Sequence, residues 1–134
     1  MIARALVMVM LLAAAPSDVE ARRHARTALR LMRARRDRWF TGSAAKWRPL
    51  DEIFLTMEGL GQWLALRWLS TPAAGVPAGV DILAAVRRSG RYWTQDEGLA
   101  LFLTIDRLVP DWQLRAFAAR PEPSEILLQR AARR

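Results

Sequence analysis

The sequence predicts an all-α fold, a small single-domain bundle of five or six helices that follows a signal peptide. Apolar residues recur at helical spacing in each long segment, and no segment alternates apolar and polar residues between turn signals as a half-buried strand does. The length of 134 residues fits one domain with a substantial core. We therefore expect a signal peptide at residues 1–17 and a helical domain at residues 18–134.

The composition excludes several kinds of site within this chain. It contains no cysteine and a single histidine, His24, which excludes disulfides, thiolate metal sites, cysteine nucleophiles and histidine clusters. The formal net charge is +8, and Lys46 is the one lysine among 21 basic residues. Such a charge favours an anionic partner, either a membrane surface or nucleic acid, while a solvated basic surface is the simpler interpretation.

The first residues have the organisation of a secretory signal peptide. Arg4 precedes an uncharged apolar run at residues 5–15, which is shorter than the roughly 20 residues that span a bilayer. Small side chains at Ala15 and Ser17 predict cleavage before Asp18. Export would place the mature protein in the periplasm or outside the cell, as part of the cell envelope. If residues 5–15 instead form a core helix, the protein is cytoplasmic.

A long amphipathic helix is predicted at about residues 18–40. Ser17 and Glu20 form a capping box at its start, in which the hydroxyl accepts a hydrogen bond from the first turn. At about 100° per residue, alanine and leucine side chains share one arc of this helix and arginines share the opposite one. The arginine face is the candidate surface for binding anions, and it consists of Arg22, Arg23, Arg26, Arg30, Arg33 and Arg36.

The second helix, predicted at about residues 51–69, is apolar nearly all round. Such a helix is typical of a core or of contact with a large partner. Its Trp63 and Trp68 fall in the apolar helical pattern, as does Trp112 later in the chain, and this predicts core positions for all three. The alternative is a surface role, since tryptophan together with arginine is typical of membrane interfaces and of protein hot spots. The remaining predicted helices lie at about residues 80–88, 94–109 and 110–119 and after Ser124.

Caps for two of the later helices can be assigned from the sequence. Thr94 and Glu97 form a second capping box, and Ser124 precedes the last helical pattern. Two segments also match at an offset of 39 residues, since five of twelve positions are identical between residues 58–69 and 97–108. The match indicates either an internal duplication or a chance agreement of leucines at helical spacing.

Both matching segments resemble one helix of a known enzyme family. Residues 94–102, which read TQDEGLALF, and more loosely residues 57–63, MEGLGQW, resemble the helix of gluzincin-type metallopeptidases that supplies the third zinc ligand. The resemblance implies that Glu97 or Glu58 would be the zinc ligand. The His-Glu-x-x-His helix of that family is absent from this chain, and the alternative is that Glu97 caps a buried helix while Glu58 pairs with an arginine.

These observations favour a non-catalytic binding or structural module of the cell envelope that needs no cofactor. Its apolar helices and arginine face would contact a protein partner or an anionic membrane surface, and an oligomer is compatible with this interpretation. One alternative is a fragment or degenerate relative of a gluzincin-type metallopeptidase, with zinc as its metal. Another is a basic cytosolic protein that binds nucleic acid nonspecifically, which is less favoured because no recognisable nucleic-acid-binding module is present.

Overall fold

The computed structural model describes residues 15–87 and 92–133, and within these ranges it contains helices and no strand, so the predicted all-α class is confirmed. Short 3-10 helices at Gly42–Trp47 and Pro72–Ala74 lie on either side of the second α-helix. The six described α-helices are α1 Asp18–Trp39, α2 Arg48–Leu69, α3 Ile82–Val86, α4 Trp93–Leu108, α5 Trp112–Ala116 and α6 Ser124–Arg133.

The start of α1 follows from its capping sequence. The Ser17 side chain accepts a hydrogen bond from the Glu20 amide at 3.2 Å, as predicted. Just before it, Ala15 is buried, and its carbonyl oxygen accepts a hydrogen bond from Arg107 Nη1 at 2.8 Å. Residues 15–17 are thus in contact with the helical domain, whereas residues 1–14 of the predicted signal peptide lie outside the described residues.

Two other predicted helix starts need correction. Helix α4 begins one residue before Thr94, and no side chain hydrogen-bonds at its N-cap residue, Tyr92. Glu97 does not reach back to a cap because its side chain turns into the core, where the residue is 1% exposed. Helix α2 begins at Arg48 rather than at residue 51, since a proline such as Pro49 is well tolerated in the first helical turn.

Helices α2 and α4 cross at two glycines. A Cβ atom placed on Gly59 would lie 2.4 Å from the carbonyl carbon of Gly98, and one placed on Gly98 would lie 2.6 Å from the Cα atom of Gly59. Neither position can therefore hold a side chain while the helix backbones stay where they are. The two glycines are equivalent positions of the matching segments, so the sequence match lies directly at the contact.

The aromatic core beside the crossing also contains equivalent residues from the two matching segments. Trp63 and Phe102, which are also equivalent positions of the matching segments, both pack edge-on against Trp112, at ring-centroid distances of 4.9 and 5.2 Å. Trp112 is 1% exposed, and its indole nitrogen donates to Asp106 Oδ1 at 2.9 Å. Helices α2 and α4 thus present corresponding residues to the same core, which leaves the opposite side of α2 outside it.

Candidate docking surface

Four of the six arginines on the predicted face of α1 bond to α6, although only Arg36 among them is buried and Arg26 remains exposed. Arg22 and Arg26 donate to the carbonyl oxygens of Ala131 and Ala132, at 3.2 and 3.0 Å. Cations at this position stabilise the negative end of a helix. At the other end of α6, Arg33 and Arg36 both bond to the Glu125 carboxylate, and these pairings show that α1 and α6 run antiparallel.

The other two residues of that face, Arg23 and Arg30, have no described bond to α6. Arg23 pairs with Glu20 at 2.9 Å while its side chain remains 67% exposed, and Arg30 is exposed. Between Arg22 and Arg38 the sequence contains only one acid, Asp37, so it could not show that four of the arginines are used to bind another helix.

A buried ionic network joins one end of the four long helices. Arg35 of α1 donates to Glu97 Oε2 of α4 at 2.7 Å and to both carboxylate oxygens of Asp51 of α2 at 3.0 Å. Arg36 donates to Asp51 at 2.7 Å and continues the network to Glu125 of α6. The side chains of Arg36, Asp51 and Glu97 are between 2% and 7% exposed, so each of these charges depends on its partners for stabilisation.

Burial acts differently on the two ends of the Arg35–Glu97 pair. Burial raises the pKa of the Glu97 carboxyl above its ordinary value, and Arg35 offsets this only in part. For Arg35, burial alone would lower the pKa, but two carboxylates, Glu97 and Asp51, together raise it. Arg35 therefore stays charged, while Glu97 holds its proton to a higher pH than a glutamate in water.

We expect the contribution of Glu97 to the free energy of unfolding to decrease as the pH rises. The unfolded chain releases this proton near pH 4.5, whereas the folded chain keeps it to higher pH, so the contribution of Glu97 is greatest below pH 4.5 and is lost as the pH rises through the folded pKa. The free energy of unfolding of the wild type minus that of Glu97→Gln should fall from pH 4 to pH 7 in urea titrations.

Glu122 provides a control of opposite sign for this titration. A hydrogen bond from Arg130 lowers the pKa of Glu122, so its contribution is present above its ordinary pKa and is lost as the pH falls through the folded value. The free energy of unfolding of the wild type minus that of Glu122→Gln should therefore rise with pH. A rise for Glu97→Gln would mean that the ion pair, and not burial, determines the titration of Glu97.

The two glutamates singled out by the metallopeptidase resemblance occupy different surroundings. Glu97 is held by Arg35 and is almost fully buried, while Glu58 is partly exposed on α2. Among residues 15–87 and 92–133, no three acidic or histidine side chains are grouped so that they could hold a metal ion. The arrangement around Glu97 gives its carboxylate a role in joining helices.

The outward side of α2 carries a row of exposed apolar side chains. With 100° of rotation per residue, the six exposed apolar side chains of this helix fall within an arc of about 100°, opposite Gly59. They extend for about 27 Å along the helix at 1.5 Å per residue. Met57 is the most exposed, at 69%. We call this surface the α2 stripe; it consists of Leu50, Ile53, Phe54, Met57, Leu64 and Trp68.

Trp68 was predicted to lie in the core, and this prediction is wrong because the side chain is 60% exposed at the end of the α2 stripe. Trp63 and Trp112 are buried as predicted. The apolar pattern could not separate these cases, since α2 is apolar on both faces and only its packing against α4 shows which face is inward.

Each exposed tryptophan of the described residues follows a basic residue in the sequence. Trp39 and Trp47 are 60% and 50% exposed. The Arg38 guanidinium lies 5.5 Å from the Trp39 ring centroid, and the Lys46 ammonium lies 5.0 Å from that of Trp47. Trp68 follows Arg67, which is exposed. We call these three dipeptides, residues 38–39, 46–47 and 67–68, the basic–tryptophan pairs.

Comparisons with known proteins add no assignment to this geometry. No family model, curated protein or solved structure matches the chain. Across the part of the chain that the structure describes, no helix combines the length and the hydropathy needed to cross a bilayer.

Proposed function

We propose that this protein is a non-catalytic binding module of the cell envelope that docks through the α2 stripe. The observation that supports this proposal is the outward face of α2, where six large apolar side chains, each 39–69% exposed, are aligned along one helix. Large exposed apolar patches are rare on soluble monomers and mark interaction sites. The stripe lies opposite the face that packs in the core, so docking does not require the fold to open.

The stripe supplies a definite but limited driving force. Half-burying an aliphatic or aromatic side chain stabilises a complex by roughly 1 kcal/mol, so the six residues together give on the order of 6 kcal/mol. Association itself costs several kcal/mol in lost translational and rotational freedom. A partner must therefore provide further contacts around the stripe for binding to be stable.

The docking proposal can be tested by cysteine protection in cells. Because the chain contains no cysteine, Met57→Cys introduces a unique thiol on the stripe, and Leu114→Cys introduces one at a residue that is 75% exposed on α5. With a membrane-permeant maleimide, both thiols should react at similar rates in the purified protein. In intact cells we expect Met57→Cys to react at least tenfold more slowly than Leu114→Cys. Equal rates in cells would contradict docking.

The envelope location is proposed from the N-terminal segment. Arg4, the apolar run at residues 5–15 and the small residues after it support export. The intact mass of the chain from cytosolic and envelope fractions tests this: we expect a shortened form that begins near Asp18 outside the cytosol. A full-length chain confined to the cytosol would contradict export and leave the docking proposal to the cysteine measurement.

A further inference from the structure

Building on the proposed function, we propose that the partner of the α2 stripe is the surface of an anionic lipid bilayer. The stripe would lie parallel to the membrane and enter the headgroup region. The basic–tryptophan pairs would lie at the membrane–water boundary and contact lipid phosphates. This assigns membrane contact to α2 rather than to the arginine face of α1.

The shape of the stripe suits a planar lipid surface. Its residues span about 27 Å along one helix, and no charged residue lies within their arc. An amphipathic helix that binds at a membrane interface buries such an apolar face by about 5–10 Å. An uncharged row on the outside of a folded domain can enter lipid headgroups without rearrangement of the core.

Two of the basic–tryptophan pairs, residues 46–47 and 67–68, lie at the two ends of the stripe in the chain, and they carry the side chains that membrane interfaces favour. Trp47 precedes the first residue of the stripe and Trp68 is its last residue, while Trp39 is at the end of α1, just before the turn that leads to α2. Tryptophan rings are enriched at the headgroup level, and the long stems of arginine and lysine allow their charges to reach phosphates there.

Charge distinguishes this partner from a second copy of the chain. The protein carries a formal charge of +8, so self-association through the stripe would bring two strongly basic chains together. An anionic membrane instead attracts exposed cations, by about 1 kcal/mol for each Lys or Arg near the surface. Arg38, Lys46 and Arg67 are exposed, and the Arg67 guanidinium also lies 5.9 Å from the ring centroid of Trp63. These three cations would supply the additional contacts that the stripe requires.

The test is co-sedimentation of the full chain with vesicles of phosphatidylglycerol and phosphatidylethanolamine, or of phosphatidylcholine alone. We expect binding to the anionic vesicles that weakens with salt, and little binding to the neutral ones. Met57→Glu should weaken anionic-vesicle binding at least tenfold. Leu114→Glu, the same change at an exposed leucine outside the stripe, should leave it within twofold. Both sites are exposed, so thermal unfolding should show both variants folded.

Any of the following results would overturn the lipid proposal. If the wild type does not bind anionic vesicles, or if Met57→Glu binds as well as the wild type, the stripe does not dock on lipid. Vesicle-free sedimentation showing a dimer that Met57→Glu dissociates would assign the stripe to a second copy. If Met57→Cys is protected in cells but the protein does not bind vesicles, the partner is a protein and the proposed function stands. If there is neither protection in cells nor binding to vesicles, the proposed function is also contradicted.

Discussion

Gly59→Ala is expected to lower the free energy of unfolding by about 3 kcal/mol, whereas Gly61→Ala should raise it by up to about 1 kcal/mol. The added methyl group at Gly59 would lie 2.4 Å from the backbone of Gly98, so helices α2 and α4 must move apart. At Gly61 a Cβ would have no atom within 4 Å apart from its chain neighbours and the backbone of its own helix, and alanine is the better helix former.

The pair of substitutions separates helix propensity from packing, because both make the same change within one helix. Chemical denaturation of the two variants gives the comparison directly. Gly98→Ala should cost about as much as Gly59→Ala, and the double variant should cost less than the sum, since helices already separated by one methyl group accommodate a second more easily. If Gly59→Ala were as stable as Gly61→Ala, the glycine crossing would not exist as described.

Arg35→Met is expected to destabilise the fold by about 3–5 kcal/mol, because it leaves the buried Glu97 carboxylate without its cation and removes one of the two arginines that bond to Asp51. Glu97 has a side chain that is 2% exposed, and its described ion-pair partner is Arg35. Arg30→Met removes an exposed arginine from the same helix and should change the stability by no more than about 0.5 kcal/mol.

A double variant distinguishes the loss of a charge from the loss of packing. Arg35→Met combined with Glu97→Leu replaces the pair by apolar side chains, which often restores most of the stability of a buried ion pair. Urea unfolding should therefore show the double variant to be more stable than Arg35→Met alone. A double variant that is less stable would mean that Glu97 does not depend on Arg35 for its burial.

The sequence was sufficient to predict the features that depend on neighbouring residues. The Ser17 cap lies three residues from its partner amide, and the helical class follows from local periodicity. The repeated Glu-Gly of the two matching segments was also visible, but the sequence did not show that Gly59 and Gly98 touch each other. That contact depends on how α2 and α4 cross, which no local pattern contains.

The features that were missed depend on residues far apart in the chain. Arg35 and Glu97 are separated by 62 positions and Arg36 and Glu125 by 89, so the arginine face of α1 looked unpaired. The apolar helices were predicted to contact a partner, but the residues of the α2 stripe could not be identified, for a different reason. A helix that is apolar on both faces has no polar side to show its orientation, so its exposed face could be identified only after its buried face was known.

The most direct test of the account compares membrane contact at α2 and at α1. Spin labels on Met57→Cys and Arg30→Cys report the depth of each site through collision with oxygen, which concentrates in lipid, and with a water-soluble nickel complex. When anionic vesicles are added, we expect the label at Met57 to gain oxygen accessibility and to lose nickel accessibility, while the label at Arg30, which is exposed on the arginine face, remains in water. Immersion at Arg30 with no change at Met57 would contradict the account.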